Sequence, residues 1–288
     1  MDTVFSGTSA VVTRGNRIDL LKVLLTVGIV CLHATSNNLR PVVWVCSVCV
    51  PAFFFLSGYL FFGNVPGKPG WEWFCGKIRS RFFTLLIPYL IAVVVAWFCY
   101  YFAIKAAPSM VDGFLGERWR DPIFVFWTGP INLSLWFIRE LMVVVLLSPL
   151  IYLIIRYTGW WGVLALGVWW ALGRYGGFSY GGPEPFFLFT AGGCLGLRKI
   201  APVERWLHTE SSIPVSSRAW TFFIYLYHYL LLIGVKKGLA MLIPFTGIWA
   251  DVTVWFLSVV IVLAALSAVY ALGRRFVPRI TGILVGGK

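Results

Sequence analysis

Apolar residues gather in eight runs separated by short polar breaks: residues 18–34, 42–62, 82–104, 135–155, 160–172, 185–197, 219–235 and 252–272. Each run predicts a membrane-crossing helix, which needs about 20 mostly apolar residues. The fifth and sixth runs are short and rich in glycine. Three polar stretches stand between runs. Residues 68–81 read as a basic loop with Lys68, Lys77, Arg79 and Arg81. Residues 105–134 read as a long outer loop with Glu117, Arg118, Arg120 and Asp121. Residues 198–218 read as a polar inner loop with Glu204, Arg205, His208 and Glu210. No internal repeat or low-complexity tract divides the chain, so residues 1–288 form one membrane domain.

Composition sharpens the picture. Hydrophobic residues make up 59% of the chain and charged ones 12%, with a mean hydropathy of +0.84. A soluble domain carries about 25% charged residues, so lipid must cover much of this surface. Aromatic residues reach 18%, with 15 Trp, which suits a protein anchored at two membrane interfaces. The first 16 residues are polar and lack a signal-peptide layout, so the first run reads as an uncleaved span.

The net charge of +13 raises the question of nucleic acid, but its distribution answers it. With eight spans and the N-terminus inside, sixteen Lys and Arg fall on the cytoplasmic side and seven outside, with Arg139 inside a span. That bias follows the positive-inside rule and places both termini in the cytoplasm. The basic charge expresses topology, and no nucleic-acid partner is expected. The six cysteines are scattered; Cys46 and Cys49 form a C-x-x-C within an apolar run and read as packing residues. The three histidines are scattered too, so no metal site is expected, and Walker A and dinucleotide motifs are absent.

Ionisable groups inside apolar runs carry the candidate chemistry, because their burial needs a reason. Lys22 and His33 share the first run. Eleven steps of about 100° return to within ~20° of the same helix face, after a rise of ~16 Å. Both side chains therefore point into one groove, the lysine near the inner end and the histidine toward the outer end. Histidine suits a general base because its pKa lies near working pH. The plainer reading is a lysine snorkelling to the interface and a histidine capping the span. Arg139 and Glu140 open the fourth run; as neighbours they point about 100° apart and do not simply neutralise each other. Arg139 is placed at the depth of His33, where its donors suit an oxyanion or anionic group, or a structural ion pair. His228 sits among tyrosines in the seventh run, as a cavity residue or an interhelical hydrogen-bonding one. The basic residues Lys77, Arg79 and Arg81 suit a polyphosphate such as the head of coenzyme A, and topology or anionic lipid explains them equally.

Several stretches, in order, resemble the acyltransferase-3 family of integral membrane acyltransferases. Arg17-Ile18-Asp19-Leu20-Leu21-Lys22, then ten residues to His33-Ala34, is similar to the family's basic-x10-His motif. Pro51-Ala52-Phe53-Phe54-Phe55-Leu56-Ser57-Gly58-Tyr59 resembles its second span. Leu135-Trp136-Phe137-Ile138-Arg139-Glu140-Leu141, running on to Leu147-Ser148-Pro149-Leu150, is similar to a middle span of one branch. Phe222-Phe223-Ile224-Tyr225 with His228, and the closing residues 278–288, resemble its late span and C-terminus.

The resemblance implies an all-α polytopic bundle in the cell membrane that moves an acyl group, often acetyl, from cytoplasmic acyl-CoA to a hydroxyl. The acceptor would be a glycan or other envelope molecule, with acyl-CoA a co-substrate and no permanently bound cofactor. His33, Lys22 and Arg139 are then the candidate catalytic residues. Glu140, Trp136, His228 and Ser57 are candidates for acceptor binding, and Arg17, Lys77, Arg79 and Arg81 for acyl-CoA. Family members usually have about ten spans, and the shortage here falls between the sixth run and Ser217-Arg218-Ala219. A small-molecule transporter, with Lys22, His33 and Arg139 lining its route, and an inactive family member are the alternative readings.

Overall fold

Helical continuity through apolar sequence dominates the architecture. The computed structural model describes residues 17–36, 38–67, 69–106, 120–128, 131–175, 183–209, 217–244 and 246–287, and every regular element among them is helical. Helix α1 (Arg17–Ala34) is followed by α2 (Arg40–Cys46), α3 (Cys49–Phe62) and α4 (Trp71–Ala106). A π-helical turn (Phe124–Thr128) and a 3-10 turn (Leu133–Leu135) lead into α5 (Trp136–Leu146) and α6 (Ser148–Thr158). Then come α7 (Trp160–Tyr175), α8 (Glu184–Arg198), α9 (Ala201–His208), α10 (Ser217–Leu242), α11 (Ile248–Phe276) and α12 (Pro278–Leu284). Lys68, Glu117, Arg118 and Glu210 lie outside the described residues.

Four stretches are long and apolar enough to cross a membrane: Arg40–Phe62, Trp71–Ala106, Ala219–Leu242 and Ile248–Phe276. A fifth candidate joins Leu133–Leu146 to Ser148–Thr158 through a 63° bend. The fold is thus an all-α multi-pass membrane bundle. All eight apolar runs are helical, but α1 carries Arg17, Asp19 and Lys22, and α7 and α8 have 16 and 15 residues, short of the ~20 of an unaided span. Along α4 the exposed side chains Phe83, Ile87, Leu90, Val94 and Phe98 recur three or four residues apart, forming one lipid-facing stripe.

Three expectations change. The basic stretch 68–81 is no loop, because α4 begins at Trp71. No proline interrupts residues 71–87, and basic side chains at a helix end can reach the interface without ending the helix. Within 198–218, Ala201–His208 is helical, with proline at its start. The fourth run breaks at Leu147, because Pro149 has no N–H to bond back along α5 and its ring crowds the preceding turn.

The tightest seam joins α3 to α8. A Cβ on Gly58 would strike the Phe189 carbonyl, one on Gly192 the Phe55 carbonyl, and one on Gly196 the Tyr59 carbonyl. Gly192 and Gly196, four residues apart, share a helix face, so the two backbones come into direct contact. Phe54, Phe62 and Phe189 fill the core beside this seam. Helices α1, α10 and α11 form a second packed group around Val30, Ile224, Leu232 and Val262.

Candidate active site

Side chains of two other helices bond carbonyls in the last turn of α1 and just past its end. Trp255 Nε1 on α11 donates to the Cys31 carbonyl at 3.0 Å, and Lys236 Nζ on α10 donates to the Thr35 carbonyl at 2.8 Å. The ammonium also complements the negative end of the helix dipole. Just beyond, Asn38 Nδ2 donates to the Asp251 carboxylate at the start of α11. These bonds hold the turn that carries His33.

The His33 ring faces α10. Its centroid lies 5.3 Å from that of His228 and 5.4 Å from that of Tyr229, which meets it edge-on. His33 is half-buried and makes no hydrogen bond among the described residues. His228 is fully buried, at 0% exposure. Its Nδ1 lies 3.1 Å from the Ile224 carbonyl and 2.8 Å from the Tyr225 carbonyl, one helical turn back. Carbonyl oxygens only accept, so Nδ1 carries the proton and, in the neutral ring, Nε2 carries the lone pair. That Nε2 is buried and makes no hydrogen bond. An unmade bond of this kind costs about 1–3 kcal/mol, and this nitrogen is left as an acceptor beside the His33 ring.

Tyr225 links this pair to α5. Its hydroxyl donates to the Ser134 carbonyl, and its ring lies 5.5 Å from Phe137. Asn132 completes the joint: Nδ2 donates to the Leu226 carbonyl at 2.8 Å, while Oδ1 accepts from the Ser134 hydroxyl at 2.6 Å. The joint fixes the start of α5, which carries Arg139.

Comparison with known proteins fits this arrangement. A family model described as an acyltransferase domain, that of the acyltransferase-3 family, matches residues 16–216. The chain belongs to this family. It is also 30% identical over 169 residues to the succinoglycan biosynthesis protein ExoH of Rhizobium meliloti (strain 1021). That match covers 49% of this chain and 43% of the relative, so the chain spans less than half of that protein's length. No solved structure matches the chain. The acyltransferase match includes His33, Lys22 and Arg139 and stops ahead of α10, which carries His228.

The candidate residues divide into several groups. Lys22 pairs with Asp19 at 3.2 Å, each side chain 14% exposed, at the opposite end of α1 from His33. Two cavities of about 420 and 410 Å³ lie elsewhere, one lined by Trp97 and Arg120 and the other by Arg79 and Ile283. Arg139 and Glu140 do pair, against the expectation from their 100° separation. Arg139 Nη2 and Nε lie 2.9 and 3.2 Å from Glu140 Oε1. Both side chains are long enough to curl across that angle, and Arg139, 6% exposed, gains a counter-charge where water is excluded. Nη1 donates to the Trp127 carbonyl at 2.5 Å, so the guanidinium clamps α5 to the 124–128 turn.

Trp136 packs against Phe54, at 6.2 Å between centroids. Ser57 is half-buried on α3 beside the glycine seam. The basic residues expected for acyl-CoA occupy separate seams. Arg17 lies over the Trp206 ring of α9 at 5.3 Å, and Lys77 lies over Phe61 and Trp73 at 5.9 and 5.5 Å. Arg79, two residues on, lines the cleft against α12.

Sequence reasoning missed Lys236, Tyr229, Asn132 and Asp251. Lys236 was counted only as an outer charge. Seven residues after Tyr229, it shares that residue's helix face once α10 is recognised to run on to Leu242. Asn132 ahead of Ser134, just before an apolar run, is a helix-start signal.

Proposed function

We propose that this protein transfers an acyl group from acyl-CoA to a hydroxyl of a glycan or related cell-envelope acceptor, with His33 as the general base. The hydroxyl oxygen attacks the thioester carbonyl carbon while His33 takes its proton. The carbon–sulfur bond then breaks, and the departing coenzyme A thiolate recovers a proton from the imidazolium. His228 accepts a hydrogen bond at Nε2, from the His33 ring or from the acceptor, and so orients the base. Arg139 acts by positioning: its clamp on Glu140 and the Trp127 carbonyl fixes the end of α5 that Tyr225 ties to His228.

The observation that carries this reading is the pair of imidazoles at one end of the bundle, one of them with a buried Nε2 that has no partner. Membership of an acyltransferase family supports the reaction class, and the relative's role in succinoglycan biosynthesis supports a glycan acceptor. The charge bias supports an eight-pass topology with cytoplasmic termini. Acyl-CoA would then approach at the end bearing Arg17, Lys22, Lys77 and Arg81. With purified protein in detergent and acetyl-CoA as donor, free coenzyme A thiol should appear with added glycan acceptor. His33→Ala should abolish that release while inserting normally. Parental release by the variant would remove His33 from the role of base.

A further inference from the structure

The cleft between α4 and α12 is polar at one end and apolar along the rest. Its volume is about 410 Å³. Arg79 and Ser80 form the polar end, and Phe83, Ile87 and Ile283 form the apolar wall. The backbones close the bottom: a Cβ on Gly286 would strike the Thr84 carbonyl. Arg79, Phe83 and Ile87 are spaced four apart, so they share one face of α4. That face is the exposed stripe that continues through Leu90, Val94 and Phe98, which lipid must cover. Arg79 therefore ends a lipid-facing stripe.

Basic residues dominate the segments around the cleft, with Glu72, one turn ahead of Gly76 in α4, the acidic exception. Arg274 and Arg275 end α11 and Arg279 lies in α12, all three exposed. No Asp or Glu occurs in residues 73–106 or 252–287. Arg79 makes no ion pair among the described residues. Phe276, Ile280 and Ile283 are exposed among these arginines, the pattern of a segment lying in a membrane interface.

We propose that this cleft binds one anionic glycerophospholipid, its phosphate on Arg79 and Ser80 and an acyl chain along Phe83, Ile87 and Ile283, holding α12 against α4. The amphiphile matches the cleft in order: phosphate at the basic rim, methylenes on the lipid-facing wall. A coenzyme A thioester would point its acyl chain into the bilayer here, away from His33. The inference does not depend on the acyl-transfer reading.

Native mass spectrometry of the detergent-purified chain with phosphatidylglycerol or phosphatidylcholine tests it. The parent protein should retain one phosphatidylglycerol at concentrations where phosphatidylcholine is lost. Arg79→Gln should weaken retention about fivefold, the worth of one basic residue at an anionic surface. Gly76→Leu should also weaken it, because Gly76 lines the cleft and a Cβ there meets nothing within 4 Å, so the fold tolerates the added side chain. Arg156→Gln, one exposed charge fewer on α6, should leave retention unchanged. Equal retention of the two lipids, or parental retention by both Arg79→Gln and Gly76→Leu, overturns the proposal. So does displacement of the phospholipid by free coenzyme A, which would make the cleft a donor site.

Discussion

Replacing His228 by leucine should separate activity from stability. Leucine roughly preserves the side-chain volume and removes both ring nitrogens. The Nδ1 bonds to the Ile224 and Tyr225 carbonyls disappear, a net loss of about 0.5–1.5 kcal/mol. Those carbonyls keep their ordinary helical partners, so no new orphan arises. The unbonded Nε2 disappears as well, which returns about 1–3 kcal/mol. The balance runs from about 0.5 kcal/mol less stable than the parent to about 2.5 kcal/mol more stable. Activity should move the other way. If Nε2 orients the base, its loss should slow transfer by about 10²–10⁴-fold, the usual worth of acid–base assistance. Thermal unfolding in detergent gives the first quantity, and coenzyme A thiol release with a glycan acceptor gives the second. A variant several kcal/mol less stable would make His228 a structural residue. One within tenfold of parental rate would remove it from the mechanism.

Two further substitutions test the scaffold. Gly192→Val should destabilise by about 3 kcal/mol or more, because the new side chain meets the Phe55 carbonyl across the α3–α8 seam. Gly234→Ala, whose Cβ meets nothing within 4 Å, should instead leave the unfolding midpoint level or raise it; equal behaviour of the two would refute the seam. Asn132→Ala should cost about 1–3 kcal/mol by stripping partners from the Ser134 hydroxyl and the Leu226 carbonyl. An unchanged midpoint would show that the joint between α5 and α10 does not depend on it.

Much of the fold was legible because burial in lipid demands long apolar helices, and all eight apolar runs are helical. The bend at Pro149 was hidden because hydropathy stays high through Leu147, and apolarity does not report a missing N–H. The start of α4 was misplaced because Lys77, Arg79 and Arg81 read as loop residues, although charge alone does not end a helix. The site was half legible. Periodicity singled out His33 on its own helix, but no local pattern states that α1 and α10 pack with His33 against His228. The Arg139–Glu140 pair was misjudged because the angle between neighbouring Cβ atoms ignores the reach of long side chains. Lys236 escaped notice because its partner is a backbone carbonyl, which leaves no trace in composition.

Envelope glycans from cells carrying the parent chain or His33→Ala, at equal membrane abundance, offer the most direct measurement. Mass spectrometry should find added acyl mass with the parent and none above background with the variant. Acyl mass at parental levels in the His33→Ala cells would contradict the account, because the imidazole on the last turn of α1 would then have no part in the chemistry.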